Sequence, residues 1–241
     1  MWDLDKDDLR QRYQARWKTS GYESRSLGWD KDCQWVRFEA AFEGLRADEY
    51  RTIVDLGCGF GDLLGFLREK NWDGTYLGVD LVPEFIEEAR KRFGSDSAAE
   101  FLCEDFQTLK LPSKRNLAIA IGVFNHRLHE NNFEFIRRAI DVMWALTDKV
   151  VICDFLSDTA DVNHRRDDLY YADPSELYRL ASACSRRVNV NHAYMPFECQ
   201  IKIWHEQSFE KSAPVFPPYA HLASAQTQWR INRTSRDRSG L

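Results

Sequence analysis

Asp55, Gly57, Gly59 and Gly61 stand at alternate positions in the stretch IVDLGCGFG at 53–61, and a second acid, Asp80, follows downstream. Glycines bring no side-chain bulk, so the backbone around Cys58 can approach a ligand closely. A helix opening behind such a loop offers unpaired N–H groups and the positive end of its dipole to an anionic group. A carboxylate at Asp80 can accept hydrogen bonds from both hydroxyls of a ribose. A dinucleotide loop, G-x-G-x-x-G, would need its third glycine at position 62. This chain has Asp62 there, and an acid faces a pyrophosphate poorly. The amino-acid end of S-adenosylmethionine (SAM) carries an ammonium beside its carboxylate and tolerates acids around the loop, so the spacing favours SAM. A tight turn alone would explain one glycine; it does not explain three with two acids in order.

Other reactive side chains lie further along. His126 follows an apolar run, at the kind of strand end where open α/β sheets place their ligands. Its imidazole could act as a base near neutral pH, or serve as a structural histidine. His192, Tyr194 and Glu198 flank a turn, and residues 192 and 194 share one face of a strand. His164, Arg165, Arg166, Tyr170 and Tyr171 occupy a polar stretch of the kind that builds binding loops. The arginine pair suits a carboxylate or phosphate, and simple surface solvation is the more frequent explanation for such a pair. Trp17, Tyr22, Trp29 and Trp35 fit either a lid over the ligand or packing on a sheet edge. The candidates for contacting a second substrate are Trp29, Arg166, Tyr170, Tyr171 and His192.

These residues need elements to position them. Apolar residues Trp35, Phe38, Phe42 and Leu45 recur at helical spacing across 33–45. A regular alternation follows: strands at 52–56, 75–79, 99–102, 117–122 and 149–153, with helices at 62–70, 83–93 and 132–146, the second opening on proline. Strands alternating with helices predict a doubly wound, mostly parallel sheet. Residues 187–194 and 197–204 alternate as two further strands around the break at Met195-Pro196, so an antiparallel hairpin should close a seven-stranded sheet. Segments 1–48, 49–205 and 206–241 divide the chain into an aromatic helical cap, the sheet domain and an extension. That extension is proline-rich at 213–219 and carries Arg230, Arg233, Arg236 and Arg238.

Composition bounds the partners. Hydrophobic residues make up 44% of the 241 and charged residues 29%, enough for a sizeable core and too apolar for global disorder. A net charge of −5 argues against a general nucleic-acid binder, whose domain is normally basic. Six scattered cysteines without a C-x-x-C pair read as free thiols. The charged N-terminus shows no signal sequence, and no stretch is apolar enough to span a bilayer. A cytoplasmic protein without a resident metal is expected.

The segments VDLGCGFGD, YLGVDLVPEFIEEAR and FLCEDF resemble the successive cofactor motifs of class I SAM-dependent methyltransferases, across about residues 50–155. The strands at 187–204 also fit that Rossmann-like fold. GW…Q..RF at 28–38, GVFNHRL at 122–128, YYADP at 170–174 and HAYMPFE at 192–198 are similar to one bacterial branch of these enzymes. The resemblance implies that Gly57, Cys58, Gly59 and Gly61 hold the methionine side of SAM, and Asp55 is counted with them among the cofactor contacts. It implies Asp80 and Leu81 at the ribose, Asp105 and Phe106 at adenine, Gly122 and Val123 at the pocket floor, and Arg37 at the cofactor's carboxylate. A turn acid at Asp105 and an exposed helical arginine at Arg37 are the plainer alternatives. Enzymes that methylate adenine or glutamine amides carry N/D-P-P-Y/F after the fourth strand, whereas this chain has Gly122-Val123-Phe124-Asn125-His126. The expected activity is methyl transfer to O or N of a small molecule, with His126 as the catalytic candidate. Alternatives are an RNA or protein acceptor, or SAM binding without turnover.

Overall fold

Thr52–Leu56 (β1) is a run of apolar residues interrupted by Asp55, buried in all but its first position, as a strand covered on both faces must be. The computed structural model describes residues 2–28, 33–209 and 214–222. In it, Thr75–Asp80 (β2), Ala99–Cys103 (β3), Arg115–Ala120 (β4) and Thr147–Leu156 (β5) join β1 in a parallel sheet. Val188–Met195 (β6) and Glu198–Trp204 (β7) pair antiparallel, and β7 pairs antiparallel with β5. The order is β3-β2-β1-β4-β5-β7-β6. This is the doubly wound sheet with a closing hairpin that the alternation predicts.

The two-residue period of the strands divides the core. Val54, Leu56, Leu77, Val79, Ala118 and Ala120 face Asn132–Leu146 (α5) and Pro174–Cys184 (α6). Ile53, Tyr76, Leu117 and Ile119 face Gln34–Phe42 (α2), Asp62–Glu69 (α3) and Pro83–Phe93 (α4). The helix starts are chemically marked. Pro83 and Pro174 occupy first turns, the Asn131 side chain accepts from the N–H groups of Phe133 and Glu134, and Asp173 accepts from that of Ser175.

Two helices fall where the sequence reading placed none. One is α6. The other is Trp2–Ser20 (α1), which is polar nearly all round and so lacks a broad apolar stripe. It is fastened by specific contacts instead. Buried Asp5 accepts from the N–H groups of His129 and Glu130 at 2.6 and 3.1 Å, Arg10 Nε donates to Leu81 O at 3.2 Å, and Gln14 donates to Glu84 at 2.9 Å. Phe60, Val82 and Phe85 form a small core beneath it with Tyr13, Trp17 and Leu27. No helix among the described residues is long and apolar enough to cross a membrane. All six cysteines are free.

Asp55 breaks the apolar rule of β1. Its carboxyl is buried and accepts the Tyr76 hydroxyl, and burial pushes its pKa up to about 7. In the unfolded chain it would sit near about 3.9. Folding thus favours the protonated form, and stability present below about pH 4 drains away as the pH rises to about 7. Asp55→Asn does not titrate. It is expected to gain on the native protein across that window by on the order of 3 kcal/mol, read from urea unfolding midpoints. A difference that stays constant between pH 4 and 7 would show the carboxyl is not held as described.

Candidate functional site

The chain leaves β1 toward β2 and reaches β4 on the opposite side, so the carboxyl ends of β1 and β4 flank an open crevice. Gly57, Gly59 and Gly61 all adopt left-handed φ, at 78°, 54° and 75°. A Cβ on Gly57 would lie 2.5 Å from a Val123 methyl, and one on Gly59 would lie 2.8 Å from Leu27. Gly57 and Cys58 donate their N–H groups to Val79 O at 2.7 and 3.1 Å. Asp80 then clasps the loop: one oxygen accepts from Gly59 N–H and the other from Val82 N–H, both at 2.9 Å. Burial raises its pKa to about 6, and those backbone donors pull the other way.

A first cavity lies against this loop. Of the expected cofactor residues, it brings together Gly57, Gly59, Asp80, Leu81, Phe106, Gly122 and Val123. Asp55, Cys58 and Gly61 stand behind the wall. Asp55 faces Tyr76, the Cys58 thiol packs toward Gly78, and Gly61 starts α3 against Phe93 and Phe101. Asp105 is not among the residues lining this cavity, though its neighbour Phe106 is; one of its oxygens accepts Gln107 N–H at 2.9 Å and caps a turn. The other accepts the indole N–H of Trp2 at 2.7 Å, and that indole stacks on Phe135 with ring centres 4.7 Å apart. A flat heteroaromatic with an N–H on Asp105 is the arrangement an adenine amino group would also make.

A second cavity adjoins the first and is larger, about 280 Å³ against about 100 Å³. The two share Tyr13, Leu27, Gly122 and His126. Arg166 and Tyr171 line the second, as expected of substrate contacts. Tyr170 and His192 line neither. The Tyr170 N–H donates to Asn125 O, and His192 Nε2 meets the Thr159 hydroxyl at 3.0 Å. Trp29 lies outside the described residues, as do the four arginines of the tail.

Arg37 differs from expectation. It is buried, its guanidinium forks onto Glu198 with Nε 2.6 Å from Oε2, and it lies 3.8 Å from Asp154. It therefore lines the second cavity and not the first. Glu198 is separated from it by most of the chain, so sequence spacing could not have paired them. Asp154 in turn accepts Gly122 N–H at 2.6 Å, which ties this buried ion cluster to the loop after β4.

His126 also departs from the role expected of it. Arg12 Nη1 lies 3.3 Å from its Nδ1, and Tyr13 Oη lies 3.0 Å from its Nε2. A guanidinium only donates, so Nδ1 accepts and Nε2 carries the proton, donating to the Tyr13 oxygen. Burial, reinforced by Arg12 and Arg16, lowers the pKa to about 4. The ring is neutral and its lone pair is occupied, which makes it a poor base. With Nε2–H donating to the Tyr13 oxygen, the hydroxyl hydrogen of Tyr13 is left for another acceptor.

Tyr13, Arg16 and Trp2 are the site residues that sequence reasoning missed. A signal existed: Leu9, Tyr13 and Trp17 repeat every fourth residue, a narrow helical stripe within a charged segment.

Residues 53–144 match the model of a family described as a methyltransferase domain. The chain is 33% identical over 159 residues to a Mycobacterium tuberculosis protein named as methyltransferase Rv1506c, covering 63% of this chain and 92% of that one. A shorter stretch, 72 residues at 38% identity, matches a malonyl-[acyl-carrier protein] O-methyltransferase of Acetivibrio thermocellus, over 30% of this chain and 25% of that one. Among solved structures, magnesium protoporphyrin IX methyltransferase from Synechocystis PCC 6803 with bound S-adenosylhomocysteine (SAH) superposes with a TM-score of 0.61 at 15% identity, over 86% of this chain and all of the other. The N-methyltransferase NodS from Bradyrhizobium japonicum WM9 gives 0.59 at 14% identity, over 81% and 97%. With the seven-stranded sheet, the glycine loop and these relatives in agreement, the chain belongs to the class I SAM-dependent methyltransferases.

Proposed function

We propose that this methyltransferase binds SAM in the first cavity and transfers its methyl group to an oxygen or nitrogen of a small molecule in the second. One observation carries the reading: the two cavities meet at Tyr13, Gly122 and His126, beside the glycine loop. The residues present fit the cofactor. Gly57 and Gly59 offer the methionine end bare backbone in the cavity wall, and a Cβ at Gly57 would strike a Val123 methyl beside it. Asp80 holds the ribose, with a lone pair on each oxygen beyond those given to Gly59 and Val82. Asp105 takes the adenine amino group in place of the Trp2 indole, with Phe106 and Leu81 beside the ring.

When bound, SAM supplies an activated methyl group on its sulfonium. The chain's part is geometric: to hold an acceptor atom about 3 Å away and in line, with water excluded. Gly122 and Val123 bound the space between the cavities. Tyr13, oriented by His126 and Arg12, offers its O–H to the acceptor.

Asp80→Ala removes a charge-assisted pair of hydrogen bonds and is expected to weaken SAM binding by about tenfold or more in calorimetry, with the circular dichroism spectrum retained. Unchanged affinity would remove Asp80 from the ribose. The ring signal of His126 in proton NMR is expected to titrate near pH 4, well below its usual range, and to move upward in Arg12→Gln. With the ring neutral from pH 6 to 8, the turnover profile should show no limb from this histidine there. A His126 titration near 6.5 would restore it as a candidate base.

A further inference from the structure

We infer that the acceptor is a carboxylate, held by Arg16 where the two cavities meet and methylated on oxygen without a general base. This rests on the small-molecule reading above and names its substrate class.

Among the described residues, the charges of the second cavity pair off with one exception. Arg37 forks onto Glu198. Arg166 forks onto Asp168, with both contacts at 3.0 Å, and Asp168 also meets Arg12 at 3.4 Å. Arg16 has no carboxylate partner among the described residues, and its Nη1 is buried without a hydrogen-bond acceptor. Its guanidinium lies 5.4 Å from the centre of the Tyr13 ring, and Gly28 leaves it room, since a Cβ there would sit 2.5 Å from Nη1. A cation so placed, lining the cavity beside the residue that joins it to the cofactor side, lacks an anion. A planar carboxylate matches the guanidinium fork.

Of the residues the two cavities share, none could take a proton from an acceptor near neutral pH; His164 also lines the second cavity, with its ring against Phe197 and Nδ1 3.7 Å from Asp161. His126 Nδ1 is engaged by Arg12, and the Tyr13 phenol is held above its ordinary pKa by burial. Glu198 is committed to Arg37, and Asp154 sits behind Gly122, lining neither cavity. An alcohol would need such a base, and so would an ammonium. An ammonium would moreover meet the positive field of Arg12, Arg16 and Arg166 that already disfavours a charged His126. A carboxylate arrives ionised.

The step balances without a proton. A lone pair of the carboxylate oxygen forms the bond to the methyl carbon while the carbon–sulfur bond breaks and its pair stays on sulfur. The anion and the sulfonium are both discharged, leaving a methyl ester and SAH. Arg16 grips the acceptor more tightly before transfer than after, so its loss should appear chiefly in KM.

The test uses the full chain, methyl-labelled SAM, and a panel of aliphatic, dicarboxylic and aromatic acids. Each acid is set beside the matching amide, alcohol and amine. Label is expected in products of acids alone, released as methanol by mild alkali. Arg16→Gln is expected to raise KM for the labelled acid by about tenfold or more, with kcat nearly unchanged. Arg16→Lys should recover part of the loss, and SAH should protect all three proteins equally against thermal unfolding, which excludes a folding defect. Alkali-stable label on an amine or alcohol overturns the inference alone. So does a native KM in Arg16→Gln, which would mean that solvent satisfies that guanidinium. Label in none of the four classes, with SAH still protecting, overturns the small-molecule reading as well.

Discussion

A parallel sheet whose strand order reverses cannot cover its own middle. β1 sends the chain one way and β4 receives it from the other, so no crossover fills the gap at their carboxyl ends. Everything at the site answers to that gap. The glycines at its edge take left-handed φ because the chain must turn under a ligand-sized space. Asp80 spends both oxygens keeping that turn in place, which is why a buried acid is tolerated there. Gly122, on the far side of the gap, is tied by Asp154 to the ion cluster of Arg37 and Glu198.

The gap also needs a roof, and α1 supplies it. A helix with a broad apolar face would have sealed the crevice. This one is charged nearly all round, and it lays three aromatic rings inward: Trp2 toward Asp105, Tyr13 toward His126 and Trp17 toward Phe60. The result is a wall with polar atoms at chosen points, over a cavity that stays divided in two.

The strands were legible in the sequence to within a residue or two in most cases, because a fully buried parallel strand is a short apolar run and little else. The glycine loop was legible for a similar reason: left-handed φ and close approach are local demands, met by local residues. The misread residues depend on distant partners. Arg37 looked like a cofactor contact until Glu198 and Asp154 were folded beside it. His126 looked like a base until Arg12 and Tyr13 arrived from the other end of the chain. α6 was missed although Asp173-Pro174 marks its start and Leu177, Ala181 and Cys184 follow at helical spacing. α1 was missed because its stripe is one residue wide.

Trp2 and Tyr13 ride on one helix. Whatever lifts the indole from Asp105 also draws the phenol away from His126, so both cavities lose part of their wall together. A helix held by a few polar contacts and three rings opens at a lower free energy than the sheet beneath it. Its backbone amides should therefore exchange with solvent long before those of β1. Any opening of α1 then reaches both compartments at once.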